Sequence, residues 1–291
     1  MFQECVSDVR GRVWSLEHVA TLPSTLVRIL SIIQDESTTA LDLADEISHD
    51  PALALKVLGA VNSSYYGFHR QISTISDAVV ILGFEEVERL SLAISVINIF
   101  DRDRDNSRAL HMLWRHSMAC SVAASGIEAH YRTRKPGVNG AHVAALLHDI
   151  GKAVIVQYFP EAVRPILRLV QEDGLPVCEA EREILEGCTH CDIGAWIADR
   201  WGLPPCLVEA IAMHHAPELV PPDHLLTHIT HAANTMCNIA GIRSLNVNTA
   251  SEMDPRTATI LPIDEMLQNH IIARLERQRG LISAMAAGSV Y

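Results

Sequence analysis

Apolar residues recur at the three-to-four residue spacing of an amphipathic helix along almost the whole chain. Leu26, Ile29, Leu30 and Ile33 share one face of a segment predicted to run from Thr21 to Gln34, with Pro23 in its first turn. Thr39 caps a helix to Ser48 that carries Leu43, Ala44 and Ile47. Asp50-Pro51 reads as a helix start, because the carboxylate accepts from free N–H groups and proline needs none at the first position. That helix carries Leu53, Leu55, Val57 and Leu58 and stops before the turn Asn62-Ser63-Ser64-Tyr65-Tyr66-Gly67. Ser73 or Thr74 caps Ile75 to Leu82, with Gly83 as the stop, and Glu85 to Phe100 follows with acids in its first turn.

The polar run Asp101 to Asn106 interrupts this pattern and is the predicted boundary. Beyond it, helices are predicted over Ser107–Tyr131, Asn139–Tyr158, Pro160–Asp173, Val177–Glu186, His190–Trp201, Pro204–His214, Pro222–Ala240 and Ile263–Ala286, with a loop over Ser244–Thr259. No strand-like alternation appears. The expected fold is all-α in two helical lobes, residues 1–105 and 106–291. Trp14, Trp114, Trp196 and Trp201 read as core anchors.

Composition narrows the function classes. The chain has 291 residues, 48% of them hydrophobic and 5% aromatic, so its core is aliphatic. Its formal charge of −12 opposes phosphate backbones and anionic lipid. The basic stretches, Arg132 to Lys135 and Arg274 to Arg279, read as solvated surface, which argues against direct nucleic-acid binding. There is no apolar run long enough for a membrane span and no signal-peptide pattern. Seven irregularly spaced cysteines fit a reducing cytoplasm, and Cys188 and Cys191 read as ordinary thiols.

The candidate chemistry lies in His148-Asp149-Ile150-Gly151-Lys152, with His116 before it and His190 and His214-His215 after it. These are borderline-to-hard ligands suited to Fe, Mn, Ni or Zn. Each lies at the edge of a separate helix, so convergence on one cavity of the second lobe is the expectation. A metal-free pairing of His148 with Asp149 is the alternative. The simplest reading of Lys152 is a solvated helix-end charge, and of Gly194 a point of close helix packing. Asn62, Ser63, Tyr65 and Tyr66 read as residues that satisfy the buried turn between the two lobes.

The second half resembles the HD superfamily of metal-dependent phosphohydrolases through His116, His148-Asp149 and the helices around them. From about residue 15 to 240 the chain is similar to the HDOD family of bacterial output domains. The resemblance rests on Leu22-Pro23, Asp50-Pro51-Ala52-Leu53-Ala54, Asn62 to Gly67, Ile72-Ser73-Thr74-Ile75, Ile81-Leu82-Gly83, Leu146 to Lys152, His190, Gly194 and Trp201-Gly202-Leu203-Pro204. It implies a helical signalling module without demonstrated catalysis. A partial resemblance to cyclic-dinucleotide phosphodiesterases of the HD-GYP type places metal ligands at His116, His148, Asp149, His190, His214 and His215. It also places a phosphate-facing cation at Lys152. Two departures stand out: Asn234 occupies the place of the last carboxylate ligand, and no Gly-Tyr-Pro segment follows His214-His215.

A binuclear hydrolytic site holds two dications about 3.5–4 Å apart and needs anionic ligands to do so. Asp149 supplies one negative charge, and Asn234 offers a neutral oxygen. The expectation is therefore a cytoplasmic bacterial signalling module working through signalling proteins or a nucleotide ligand, with at most slow catalysis. The alternative is a metal-dependent phosphohydrolase of a nucleotide or cyclic dinucleotide, in which Asp149 and Lys152 would be catalytic. A nucleotide sensor that binds without cleaving lies between the two.

Overall fold

A computed structural model of the chain describes residues 9–16, 22–34, 37–63, 66–100, 107–132, 139–245 and 252–286. Among these residues there are helices and no strand, so the fold is all-α. The expected caps form as read. Thr39 makes a capping box with Asp42 ahead of the helix Ala40–Ser48, Asp50 accepts from the Ala52 and Leu53 N–H groups, and Thr74 accepts from Asp77 N–H. Gly83 ends Ile75–Leu82 at φ 89°, a backbone region that glycine enters without strain.

The helices between Ser24 and Phe100 pack on one another, as do those from Ser107 onward, and Phe84–Phe100 touches both Ser107–Arg132 and Ala141–Leu147. The anticipated boundary at 101–106 lies outside the described residues, as does the basic stretch 133–135. Residues 9–16 reach the second group of helices: Arg12 donates to Glu161 and the Tyr158 carbonyl, and Arg200 donates to the Trp14 carbonyl. Trp14 is accordingly no core anchor; it is 43% exposed with the Arg200 guanidinium over its ring, whereas Trp114 and Trp201 are buried. Asn62 does satisfy its turn, donating to the Leu58 and Ile72 carbonyls and accepting from Ile72 N–H. This turn is not between the lobes: it joins Pro51–Val61 to Ile75–Leu82 within the first group of helices.

Two elements differ from the periodicity reading. Pro255–Ile260 is a helix that begins inside the predicted loop, opened by Asp254, which accepts from Thr257 N–H. It is a second Asp-Pro start, built like Asp50-Pro51. The predicted helix over 139–158 is two helices, Ala141–Leu147 and Ile150–Tyr158, broken at His148-Asp149. Asp149 stands at the N-cap position of the second helix yet caps none of its N–H groups. Its carboxylate is turned elsewhere.

The long helix Ser107–Arg132 forms the spine of the second group, with Ala141–Leu147, Leu225–Ile239 and Glu265–Ala286 packed along it. Ile150–Tyr158 lies against His190–Arg200 at an approach set by Gly151 and Gly194, as anticipated for Gly194. A Cβ on Gly151 would fall 1.9 Å from the His190 carbonyl oxygen.

Candidate metal centre

The Asp149 carboxylate is the hub of the second helical group, fully buried and surrounded by imidazoles from separate elements. Its Oδ2 lies 3.8 Å from His116 Nε2 and 3.5 Å from His148 Nε2. Its Oδ1 lies 3.4 Å from His190 Nε2 and 3.7 Å from His214 Nε2. His215 completes the ring of histidines, its centroid 4.3 Å from that of His214 and 5.1 Å from that of His190. Asn234 closes the His116 side, with Oδ1 3.1 Å from His116 Nε2. The seven anticipated residues thus converge on one centre.

The orientation of the rings follows from what lies behind them. His116 Nδ1–H donates to the Ile242 carbonyl at 2.7 Å, His148 Nδ1–H to Ala145 at 2.8 Å and His214 Nδ1–H to Ile211 at 2.8 Å. His190 Nδ1–H donates to Glu181 Oε2 at 2.6 Å, and the same oxygen accepts from His190 N–H. A carbonyl oxygen only accepts, so the proton sits on Nδ1 and the Nε2 lone pair points inward. The lone pairs of His116, His148 and His214 therefore face one anionic carboxylate across 3.5–3.8 Å, acceptor against acceptor. A cation resolves that repulsion. His148 Nε2 and His215 Nε2 are buried with no hydrogen-bond partner at all.

The charges agree with this arrangement. Burial pushes His148 down to about 4 and lowers His116, His214 and His215 as well, which keeps these rings neutral and able to ligate. Burial works against the charged form of Asp149, but His148, Lys152 and His190 hold its carboxyl well below the usual range. Burial likewise lowers His190, yet Glu181 overrides it and raises the ring above its ordinary value. An ionised carboxylate beside the neutral imidazoles of His116, His148, His214 and His215 is a donor set that fits a divalent metal.

Lys152 is not the solvated charge that the sequence suggested. It is buried, and its ammonium lies 2.9 Å from both carboxylate oxygens of Asp149. Glu181 carries no local sequence signal, because it sits nine residues before His190 on an acidic helix, and only the fold brings it beneath the ring. Cys120 escaped notice as well, although it stands one helical turn after His116 and so on the same face. Cys191 gathers with Cys178 and His190 rather than with Cys188.

Glu181→Gln should leave the fold intact and weaken metal binding about 10–100-fold, because the carboxylate orients His190 and makes it more basic. Zinc titration of the purified variant measures this; unchanged affinity would show that the Glu181–His190 pair does not act on the centre. A second expectation concerns acid. Groups whose folded pKa lies below the unfolded value take up protons preferentially in the unfolded chain, so stability is present above pH 6.5 and lost as pH falls toward the folded value. For His148, the displacement from 6.5 to about 4 corresponds to roughly 3 kcal/mol. His116, His214 and His215 act in the same direction, and His190 opposes them. The melting temperature of chelator-treated protein should fall steeply between about pH 6.5 and 4.5. A flat profile would contradict the neutral-imidazole assignment.

Comparison with known proteins places this chain in a family. The HDOD domain model matches residues 19–217. An HDOD domain protein of unknown function from Geobacter sulfurreducens superposes with a TM-score of 0.74 at 23% identity, over 100% of this chain and 99% of that one. A candidate signal transduction protein from Marinobacter aquaeolei VT8 gives 0.75 at 23% identity, over 92% of this chain and 59% of its own. A candidate phosphohydrolase from Shewanella amazonensis SB2B gives 0.66 at 21% identity, over 96% and 97%. An uncharacterized protein of Treponema pallidum (strain Nichols) is 26% identical over 246 residues, 83% of this chain. The chain spans 45% of that relative's length. With the domain model matching most of the chain and the same helical fold throughout, the protein belongs to the HDOD family.

Proposed function

We propose that this chain is a metal-holding HDOD signalling module that works in the cytoplasm through signalling proteins or a nucleotide ligand, without efficient hydrolysis. In this reading Asp149 and the imidazoles of His116, His148, His190, His214 and His215 bind a divalent ion, with Asn234 beside it. Residues 1–105 and 106–291 serve as its two lobes, with residues 9–16 of the first docked on the second. The observation that carries the reading is enclosure. His116, His148, Asp149, His190 and His214 are each at most 1% exposed, so a phosphodiester cannot meet the ion unless the helices around it part. Two further features support it. The Lys152 ammonium is already engaged by Asp149, and Asn234 leaves the centre one carboxylate short for two dications. Leu41, Leu55, Val80 and Ile81, each half or more exposed on the helices between Ala40 and Leu82, offer apolar surface for a protein partner.

Bound metal would supply charge neutralisation and cross-link elements scattered along the sequence. The chain's own residues do the rest: Glu181, Ile242, Ala145 and Ile211 hold the rings, and the burial of the cluster excludes water. Metal analysis by mass spectrometry should find a transition metal in the purified protein, and a cyclic-dinucleotide assay should find little turnover. Asn234→Asp should raise metal occupancy by restoring an anionic ligand. Metal-dependent cleavage at enzyme-like rates, of order 1 per second or more, would overturn the module reading in favour of a phosphohydrolase with Asp149 and Lys152 in catalytic roles. Absence of bound metal after reconstitution would overturn the metal-holding part.

A further inference from the structure

Two thiols meet on the His190 side of the centre. The helix Val177–Ile184 carries Cys178 and, one turn later on the same face, Glu181. The helix His190–Arg200 opens with His190 and Cys191. Glu181 Oε2 accepts from His190 N–H at 2.9 Å and from its Nδ1–H at 2.6 Å. The two sulfurs and a ring nitrogen of His190 all lie within 4.8 Å of one another. Both thiols are free, and they differ in access: Cys178 is half-buried, Cys191 buried. Cys191 Sγ lies 3.5 Å from His190 Nε2 and 3.9 Å from His214 Nδ1, so the inner sulfur touches two rings of the centre.

We propose that Cys178 and Cys191 are a dithiol that hydroperoxides oxidise to a disulfide, and that this disulfide loosens the metal held beside His190. The second half rests on the reading that the cluster holds a metal; the first does not. Cys178 is the sulfur a peroxide meets first, because it is the more accessible of the two. It is also the second residue of its helix, where unpaired N–H groups favour a thiolate, and Pro176 at the N-cap offers them no side-chain acceptor. The Cys178 sulfur attacks the peroxide, the O–O bond breaks, and the leaving oxygen takes the Cys178 proton as water, or as an alcohol from an organic peroxide. The sulfenic acid so formed is attacked by the Cys191 sulfur: the S–S bond forms, the S–O bond breaks, and hydroxide leaves with the Cys191 proton as a second water. The sulfurs lose two electrons and the peroxide gains them. Closing the sulfurs to about 2.05 Å draws the first turn of His190–Arg200 toward Val177–Ile184. Cys191 is the next residue after His190, so that movement pulls the His190 ring off its place 3.4 Å from Asp149 Oδ1.

The full chain, stripped with chelator and treated with stoichiometric hydrogen peroxide, should yield on non-reducing peptide mapping a pair of peptides joined through Cys178 and Cys191, lighter by two hydrogens. Dithiothreitol should separate them. Cys178→Ser should prevent the link, whereas Cys188→Ser and Cys206→Ser should leave it, although Cys188 is nearer in sequence and Cys206 is exposed. Zinc affinity of the oxidised chain should fall at least about tenfold, as when a ligating histidine loses its orientation, and should return on reduction. A link from Cys191 to Cys188, or oxidation of Cys178 to sulfinic acid without a link, would overturn the dithiol. A Cys178–Cys191 link that leaves zinc affinity unchanged would overturn its action on the centre. A link in a chain that takes up no zinc even when reduced would overturn the metal-holding reading and the coupling, and the dithiol would stand. If Cys178→Ser does not fold, the wild-type peptide map still decides, because it identifies both partners of the bond.

Discussion

Gly151→Ala should destabilise the protein by about 3 kcal/mol or more, the upper end of what an added methyl costs in a packed interior. The new Cβ would lie 1.9 Å from the His190 carbonyl oxygen, 2.7 Å from its carbonyl carbon and 2.9 Å from Gly194 N. All three are backbone atoms, so no side chain can rotate away and one helix must shift against the other. The atoms displaced belong to His190, whose ring is pinned at Nδ1 by Glu181 and faces Asp149 through Nε2. The shift therefore damages the centre as well as the packing, and metal affinity should fall with stability. Thermal unfolding and zinc titration of the variant measure both effects. Gly280→Ala is the control: no atom lies within 4 Å of its added Cβ, and relief of unfolded-state entropy should leave stability unchanged or raised by up to about 1 kcal/mol. A Gly151→Ala protein that melts with the wild type would refute the close approach.

Much of this molecule was legible in the sequence because its signals are local. Caps at Thr39, Asp50 and Thr74 depend on a side chain reaching its own next turn, so the residues that announce them also perform them. The same logic was available at Asp254-Pro255 and was masked by the surrounding Asn, Ser and Thr. The break at His148-Asp149 was not legible, because both residues lie inside an unbroken apolar period. What opens the helix there is the demand of the centre on the Asp149 carboxylate, a tertiary cause. The histidines could be gathered from their positions at helix edges, but their tautomers could not. Those depend on carbonyls at Ile242, Ala145 and Ile211, which only the folded chain presents. Lys152 was misread for a similar reason. A lysine three residues beyond an aspartate is ordinarily solvated, and burial of both is set by helices distant in sequence.

Asp149→Ala should cost about 3–5 kcal/mol of stability and abolish metal binding, and the two losses are separable. The stability loss comes from Lys152. With its partner removed, a buried ammonium is left without the carboxylate 2.9 Å away that raises its pKa against burial. Glu181 also acts on Lys152, which places the expected cost toward the lower end of that range. The metal loss has a different origin, because among the described residues Asp149 is the carboxylate that lies within 4.0 Å of the four Nε2 atoms, and histidines alone leave a dication uncompensated. Lys152→Met added to Asp149→Ala removes the stranded charge while keeping much of the side-chain volume, so it should recover most of the stability and none of the metal binding. The readout is the rise in melting temperature on adding zinc, which reports ligand bound to the native state. Wild type should show the rise, and both Asp149→Ala proteins should not. A double variant that still melts higher in zinc would remove Asp149 from the ligand set. One that stays as unstable as Asp149→Ala would show that the cost lies in the emptied space around position 149 and not in the stranded lysine.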